Sequence, residues 1–404
     1  MVGLIVLVGI VASTLLGLAT NVASGRQTWP VLNLIRQHSW RATALLTTIL
    51  GVVALLGPWL SSRMQAAKDG GAGGTVEQLQ AAAASLRESS RISWTQEARM
   101  RSVSSVQLPP QWSLSTRPVQ GTGVAIAQAP AEGGLEDLLE QLGSPPDRQL
   151  VILGEPGSGK TVLAMLLVLT WLERWQPGQP VPVLLPLSSY RPSSSLRQWM
   201  VARLLEDYPD LADVAAYGPN AAARLIDSNR VLPVFDGLDE ISVTDRDEAI
   251  SAIDSFIGAK PLILTCQGEK YQAAVNANGQ HLPGALVIEM KKIQVDLAIA
   301  YLRKSVNDRW EQVFPRMRAE PEGPVAEALT TPLMIFLARI AYASPATDPE
   351  LLKDQFHSRE QVEDHLLRRF VPATYGSQRD PKYPADLAER WLRTLARRTQ
   401  NLRW

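Results

Sequence analysis

Leu150–Thr161 reads LVILGEPGSGKT, and this stretch decides the fold. The apolar run Leu150–Leu153 supplies a β-strand, and Gly154-x-x-x-x-Gly159-Lys160-Thr161 follows it directly. Glycines let successive backbone N–H groups curl around phosphate oxygens. The positive end of a helix expected over Thr161–Trp175 points at the same anion. Lys160 is placed to reach the β- and γ-phosphates, and the Thr161 hydroxyl to ligate Mg²⁺. Gly154, Glu155, Pro156, Gly157, Ser158, Gly159, Lys160 and Thr161 therefore form the candidate nucleotide-binding set. A bare glycine pattern would say little. A strand before it and a helix after it supply the context this chemistry needs.

A phosphate loop needs a partner carboxylate at the end of a neighbouring strand. Val231–Glu240, VLPVFDGLDE, provides one. Val231–Phe235 reads as a strand, although Pro233 is awkward in its middle. Asp236 stands at its end as a Mg²⁺ partner, while Asp239 and Glu240 follow as groups able to orient or deprotonate water. Carboxylates so close repel one another unless a cation sits among them. A third strand, Pro261–Thr265, leads into Cys266-Gln267-Gly268-Glu269-Lys270, and its end would face the γ-phosphate in a parallel sheet. Thr265 and Gln267 are the candidate phosphate sensors, with Lys270 or an arginine from a neighbouring subunit as the alternatives to Gln267. Cys266 reads as a small buried residue.

Strand and helix signals alternate from Leu150 to Met290, with further strands at Val181–Leu187 and Leu286–Met290. Helices are expected at Leu196–Glu206, Asn220–Ser228 and Arg246–Ile257. This spacing predicts an α/β fold, a P-loop NTPase parallel sheet covered by helices on both faces. From Gln294 onward the pattern is helical: Pro324–Leu329, Leu333–Tyr342, Arg359–Phe370 and Ala385–Arg398, the last strongly basic.

The other end of the chain is different. Met1–Thr20 and Ala42–Leu60 contain no charged residue; Arg41 and Arg63 bracket the second run, and Trp40 and Trp59 lie near its ends. Each run is about long enough to cross a ~30 Å hydrocarbon layer. They predict a two-helix transmembrane hairpin. Loop arginines (Arg26, Arg36, Arg41) and the following Arg63 and Lys68 leave the charge rule undecided. The need for cytosolic nucleotide puts the large domain in the cytoplasm of a multi-pass cell-membrane protein. KDGGAGG at Lys68–Gly74 is a flexible junction. Thr75–Arg101 has a helical stripe of Val76, Leu79, Ala83 and Leu86, either a spacer or a stalk docked on the nucleotide domain. Leu108–Gly134 reads as irregular linker. The expected domains are 1–64, the hairpin; 65–133, stalk and linker; 134–292, nucleotide-binding; and 293–404, helical.

Composition narrows the function. Forty basic and forty acidic residues cancel, which argues against a general nucleic-acid binder, and no specific nucleic acid is expected. A single cysteine and four scattered histidines exclude an intrachain disulfide and a Cys-rich zinc site.

GEPGSGKT at Gly154–Thr161 and, above all, DGLDE at Asp236–Glu240 resemble the NACHT family of signal-transducing P-loop NTPases, within the STAND class. LTTPLMIFLARI at Leu329–Ile340 resembles that family's helical domain, and the resemblance makes Pro332 the base-proximal residue. The likeness extends more loosely through HLLRRFVPATY and AERWLRTLARR, which look like regions of actinobacterial members carrying membrane helices. It implies ATP/ADP and Mg²⁺ as cofactors, homo-oligomerisation on activation, an unknown activating ligand or effector, and a setting in bacterial stress or antiphage defence. Two features depart from the family pattern. The family's third strand runs into an arginine, where this chain has Gln267; a neutral carboxamide cannot stabilise phosphoryl charge as a guanidinium does, so turnover should be slow. Moreover, only about 60 residues follow Tyr342 where a winged-helix domain is expected, so the chain reads as a fragment or truncated form.

These readings combine into a membrane-anchored ATP-binding switch with slow hydrolysis coupled to conformational change. An AAA+-like remodelling ATPase and a non-hydrolysing membrane scaffold are the alternatives.

Overall fold

The computed structural model describes residues 74–100, 108–117, 130–143, 146–278, 282, 285–305, 308–344, 346–376 and 384–399. The expected hairpin of residues 1–64 lies outside the described residues. Among those described, no helix is long and apolar enough to cross a membrane.

The chain runs α1 (Val76–Met100), β1 (Trp112–Leu114), β2 (Glu132–Gly133), α2 (Leu135–Leu142), β3 (Gln149–Leu153), α3 (Lys160–Arg174), β4 (Val181–Pro186), α4 (Leu196–Asp207), α5 (Val214–Tyr217) and α6 (Ala221–Asp227). It continues through β5 (Val231–Asp236), α7 (Val243–Ile257), β6 (Leu262–Cys266), α8 (Gly268–Asn278) and β7 (Leu286–Met290). A helical region follows: α9 (Val295–Ser305), α10 (Phe314–Ala319), α11 (Pro324–Ala328), α12 (Pro332–Ala341), α13 (Arg359–Gly376) and α14 (Ala385–Thr399).

The strands form one sheet in the order β2-β1-β7-β3-β6-β5-β4. Strands β7, β3, β6, β5 and β4 are parallel, in register Leu153↔Cys266 and Leu153↔Glu289 on either side of β3. Every residue of β3 and β6 is buried, as an uninterrupted apolar run between two helical layers requires. From β3 the chain passes to the far edge at β4, returns through β5 and β6, and then crosses to β7. The order therefore reverses at β3, and a ligand crevice belongs outside the carboxyl ends there.

The expectation of an irregular linker over Leu108–Gly134 is corrected at one edge of the sheet. The linker contributes β1, antiparallel to β7 with Trp112 opposite Met290, and β2, antiparallel to β1. Its Pro, Gly and Ser content hid three-residue and two-residue strands whose pairing is decided by Trp112. That indole is fully buried in the sheet core and donates to the Gly134 carbonyl at 2.7 Å. Four residues earlier, Leu108 belongs to the separate apolar cluster of the helical region, with Trp310, Phe314 and Tyr342. Pro233 is accommodated inside β5: pairing with β4 runs along the whole strand, whereas pairing with β6 is confined to Val234 and Phe235, beyond the residue that lacks an N–H.

Helix α1 docks on the nucleotide domain. Ala82, Ala83, Leu86, Ser90 and Ala98 are buried, and Arg87 donates to the Leu172 carbonyl at the end of α3. The small alanines let the helices approach closely. Val76, placed in the apolar stripe by its spacing, is instead exposed at the helix start.

Candidate functional site

The phosphate loop leaves β3 at Leu153 and enters α3 at Lys160. Gly157 has φ +73°, and a Cβ there would lie 3.0 Å from the Cβ of Leu333. Only glycine fits both the left-handed backbone and that contact. Ser158 is buried with its Oγ unpartnered among the described residues, a donor available inside the loop. Lys160 Nζ folds back to donate to the carbonyls of Gly154 and Glu155, both at 3.0 Å. Burial lowers the lysine pKa, opposed by the charges of Asp239 and Asp236.

The acidic strand meets the loop where the sequence places it. Thr161 donates its hydroxyl to the Asp236 carboxylate at 3.0–3.1 Å, across 75 residues of chain. Thr265, expected to sense phosphate, instead donates to Asp236 at 2.6 Å and accepts from the Gly237 N–H at 2.8 Å. It is buried and orients the carboxylate. Gly237 turns at φ +78°, which lets the Glu240 side chain lie over it, 2.9 Å from where a Cβ would stand.

Beyond that turn the three acidic residues take different positions. The Asp239 carboxylate accepts the Gln267 N–H at 3.1 Å, and its carbonyl accepts Lys270 Nζ at 3.3 Å. Glu240 is exposed, with no hydrogen-bonded side-chain partner among the described residues. Partial desolvation, then the charges of Asp236 and Asp239, raise its pKa above the ordinary carboxylate range. Sequence reasoning missed Arg246, whose buried guanidinium donates to the carbonyls of Leu238, Asp239 and Ile241. No local pattern announces an arginine that faces inward from α7. Burial pushes the Cys266 thiol up to about 12, so it is the inert core residue expected.

Gln267 follows the last residue of β6, and its N–H is held by the acidic turn. The residue lines a polar cavity of about 560 Å³ shared with Glu155, Arg117 and Arg359. Arg359 pairs with Glu155 of the loop at 3.2 Å and with Glu363 at 2.6 Å. Arg117, from the linker, pairs with Glu289 at 3.1 Å.

On the loop's other side lies a cavity of about 620 Å³, lined by Gly157–Val162, Leu108–Gln111, Tyr301, Pro332 and Phe336. It is large enough for a nucleoside and apolar enough to take a base. Pro332 opens α12 behind Thr331, whose hydroxyl caps the helix by accepting from the Met334 N–H. Pro332 thus sits against Gly159, and the Leu333 N–H donates to the Gly157 carbonyl at 3.4 Å. Leu333 also went unnoticed in the sequence, because its partner is a glycine over 170 residues away.

The unpartnered Ser158 hydroxyl, the glycine cradle and the convergent Thr161 and Asp236 fit a nucleotide with Mg²⁺. No three His, Cys, Asp or Glu side chains converge as metal ligands among the described residues. Mg²⁺ commonly takes one or two protein oxygens and fills its shell with phosphate and water. Thr161 and Asp236 are the residues that would supply them.

A central strand feeding a phosphate loop, with an acidic strand two places away and helices on both faces, defines a P-loop nucleotide-binding domain. Residues 148–308 match the NACHT domain family. No curated protein matches it. Among solved structures it is similar to Cdc6p from Pyrobaculum aerophilum, at 13% identity and TM-score 0.31, covering 60% of this chain and 61% of that one. It is also similar to a STAND protein with a tetratricopeptide repeat sensor from Pyrococcus horikoshii, at 16% identity and TM-score 0.28, covering 54% and 30%. At these scores neither likeness bears on the site's chemistry.

The Gly157–Leu333 contact gives a direct test of coupling between loop and helical region. Gly157→Ala should cost about 1–2 kcal/mol through left-handed strain alone, and more from the clash with Leu333. In thermal unfolding and nucleotide titration the variant should be weaker than the parent. Adding Leu333→Ala, which removes the Cδ2 that would lie 3.1 Å from the new methyl, should recover part of the loss. No recovery would mean that the two residues are not coupled.

Proposed function

We propose that this chain is an ATP/ADP-dependent molecular switch with slow, Mg²⁺-assisted hydrolysis. The observation that carries the reading is the hydrogen bond between Thr161 and Asp236, which joins the phosphate loop to the acidic strand. When bound, the nucleotide supplies the scissile phosphoanhydride and Mg²⁺ the counter-charge; the rest is done by side chains already in place. Lys160 and the loop N–H groups hold phosphate oxygens, Thr265 and Thr161 orient Asp236, and Glu240 takes a proton from water. The switch element is the helical region. Pro332, Leu333 and Arg359 all rest on the phosphate loop, so a change in the loop is passed directly to α12 and α13. Such packed contacts convert phosphate binding into larger movements.

In this reading the ATP state exposes surfaces for homo-oligomerisation. Light scattering of the purified chain with Mg²⁺ and a slowly hydrolysed ATP analogue should give a larger particle than with ADP. Equal size in both, with both nucleotides bound, would remove the switch and leave a static nucleotide site.

Membrane anchoring, with the nucleotide domain cytoplasmic, rests on the two uncharged runs of residues 1–20 and 42–60. After an alkaline carbonate wash the full-length chain should stay in the pellet. Recovery in the supernatant would rule the anchor out. A setting in bacterial stress or antiphage signalling rests on family resemblance.

A further inference from the structure

The acidic turn and the phosphate loop are surrounded by cations, and most of them are committed. Arg117 is ion-paired with Glu289, and Arg359 with Glu155 and Glu363. Arg246 is buried on carbonyl oxygens below the turn. Lys160 lies over the loop itself. Lys270 differs. Its ammonium is held by one carbonyl, that of Asp239, and has no carboxylate within ion-pair distance among the described residues. The residue is half-buried, so the charge is partly withdrawn from water without being neutralised.

Its position follows from helix geometry. Gln267 closes the first turn of α8 by accepting the Tyr271 N–H at 2.9 Å. Lys270 stands three residues after Gln267, on the same side of that turn. The turn grips Asp239 twice, at the carboxylate through the Gln267 N–H and at the carbonyl through Lys270. Lys270 therefore reaches the acidic turn from the end of β6, between the loop strand and the acidic strand, while Gln267 lines the polar cavity. Its charge is felt at both Lys160 and Glu240. Lys270 thus stands at the acidic turn that also carries Glu240.

We propose that Lys270 is the residue that distinguishes a triphosphate from a diphosphate in this site, exchanging its hydrogen bond to the Asp239 carbonyl for one to terminal phosphate oxygens. This rests on the nucleotide-switch reading above. The exchange frees the Asp239 carbonyl and loosens one of the two ties between α8 and the acidic turn. Occupancy by triphosphate is thereby reported to α8. A flexible ammonium can make this exchange at small cost, because its donors rotate freely around a point charge.

Equilibrium titrations with ADP and with a non-hydrolysable ATP analogue, both with Mg²⁺, test the assignment on the parent, Lys270→Ala, Lys270→Met, Lys270→Arg and Gln267→Ala. Lys270→Ala and Lys270→Met should each lose about tenfold or more in analogue affinity, about 1.4 kcal/mol, with ADP affinity within threefold of the parent. Lys270→Arg should keep most of the preference, and Gln267→Ala should leave both affinities unchanged. Methionine preserves the length of the aliphatic stem, so agreement between the two neutral variants separates loss of charge from loss of packing. Equal weakening toward both nucleotides would make Lys270 a support for the acidic turn and overturn the proposal. So would an unchanged preference, or selectivity lost in Gln267→Ala instead. A parent chain that binds neither nucleotide would overturn the switch reading itself.

Discussion

Lys160→Ala should weaken binding of labelled ATP with Mg²⁺ at least tenfold, a loss of about 1.4 kcal/mol or more. The lysine is the cation that the loop itself presents. Its Nζ lies 3.0 Å from the carbonyls of Gly154 and Glu155, so it spans the mouth of the loop. Burial disfavours its charge, and only carbonyl dipoles and the more distant Asp239 and Asp236 hold it. A phosphate oxygen replaces dipoles with a full charge, the stronger kind of hydrogen bond. Alanine removes both the attraction and the donor. ADP affinity should fall as well, because the loop wraps the β-phosphate. Equal affinity in variant and parent would place the nucleotide elsewhere.

The second large effect is expected at Glu240. Glu240→Gln should slow single-turnover hydrolysis by about a hundredfold or more, the usual contribution of a positioned general base, and leave nucleotide affinity within a few fold. Asp239→Asn should act differently. The Asp239 carboxylate holds the Gln267 N–H, so its loss should disturb the start of α8 and change affinity and rate together. The pH profile adds a signature. A base must be deprotonated, and desolvation with the neighbouring charges of Asp236 and Asp239 raises the Glu240 pKa. The hydrolysis rate should therefore fall on acidification at a higher pH than an unperturbed glutamate would give. This acid limb should vanish in Glu240→Gln. A variant that turns over at the parent rate would transfer the base role to Asp239.

Much of the nucleotide domain was legible because its signals are local. An apolar run buried on both faces, a glycine loop and a helix start follow one another within Leu150–Thr161, and each is set by backbone freedom and side-chain polarity over a few residues. The acidic strand was legible for the same reason. Ends of the expected helices agreed to within a few residues, except that α13 continues through Pro372 to Gly376, past its expected end at Phe370. The linker strands were not legible, since three-residue and two-residue strands have no periodicity of their own. Trp112 and the edge of β7 make them.

The sequence by itself determined the P-loop architecture, the identities of Lys160, Thr161 and Asp236, and the change from α/β to helical character after Met290. These depend on residue type and short spacing. Tertiary structure alone decided the division of labour among neighbours that look alike in the sequence. Asp239 is taken up by the Gln267 N–H while Glu240 stays exposed, and Thr265 supports Asp236. Gln267 lines a polar cavity while Lys270, one turn later, reaches the acidic turn. Leu333 seals Gly157 from a different domain. Each outcome is set by which atoms come within hydrogen-bond or van der Waals distance when distant segments pack, and such distances fall off too steeply to be read from residue type and spacing alone.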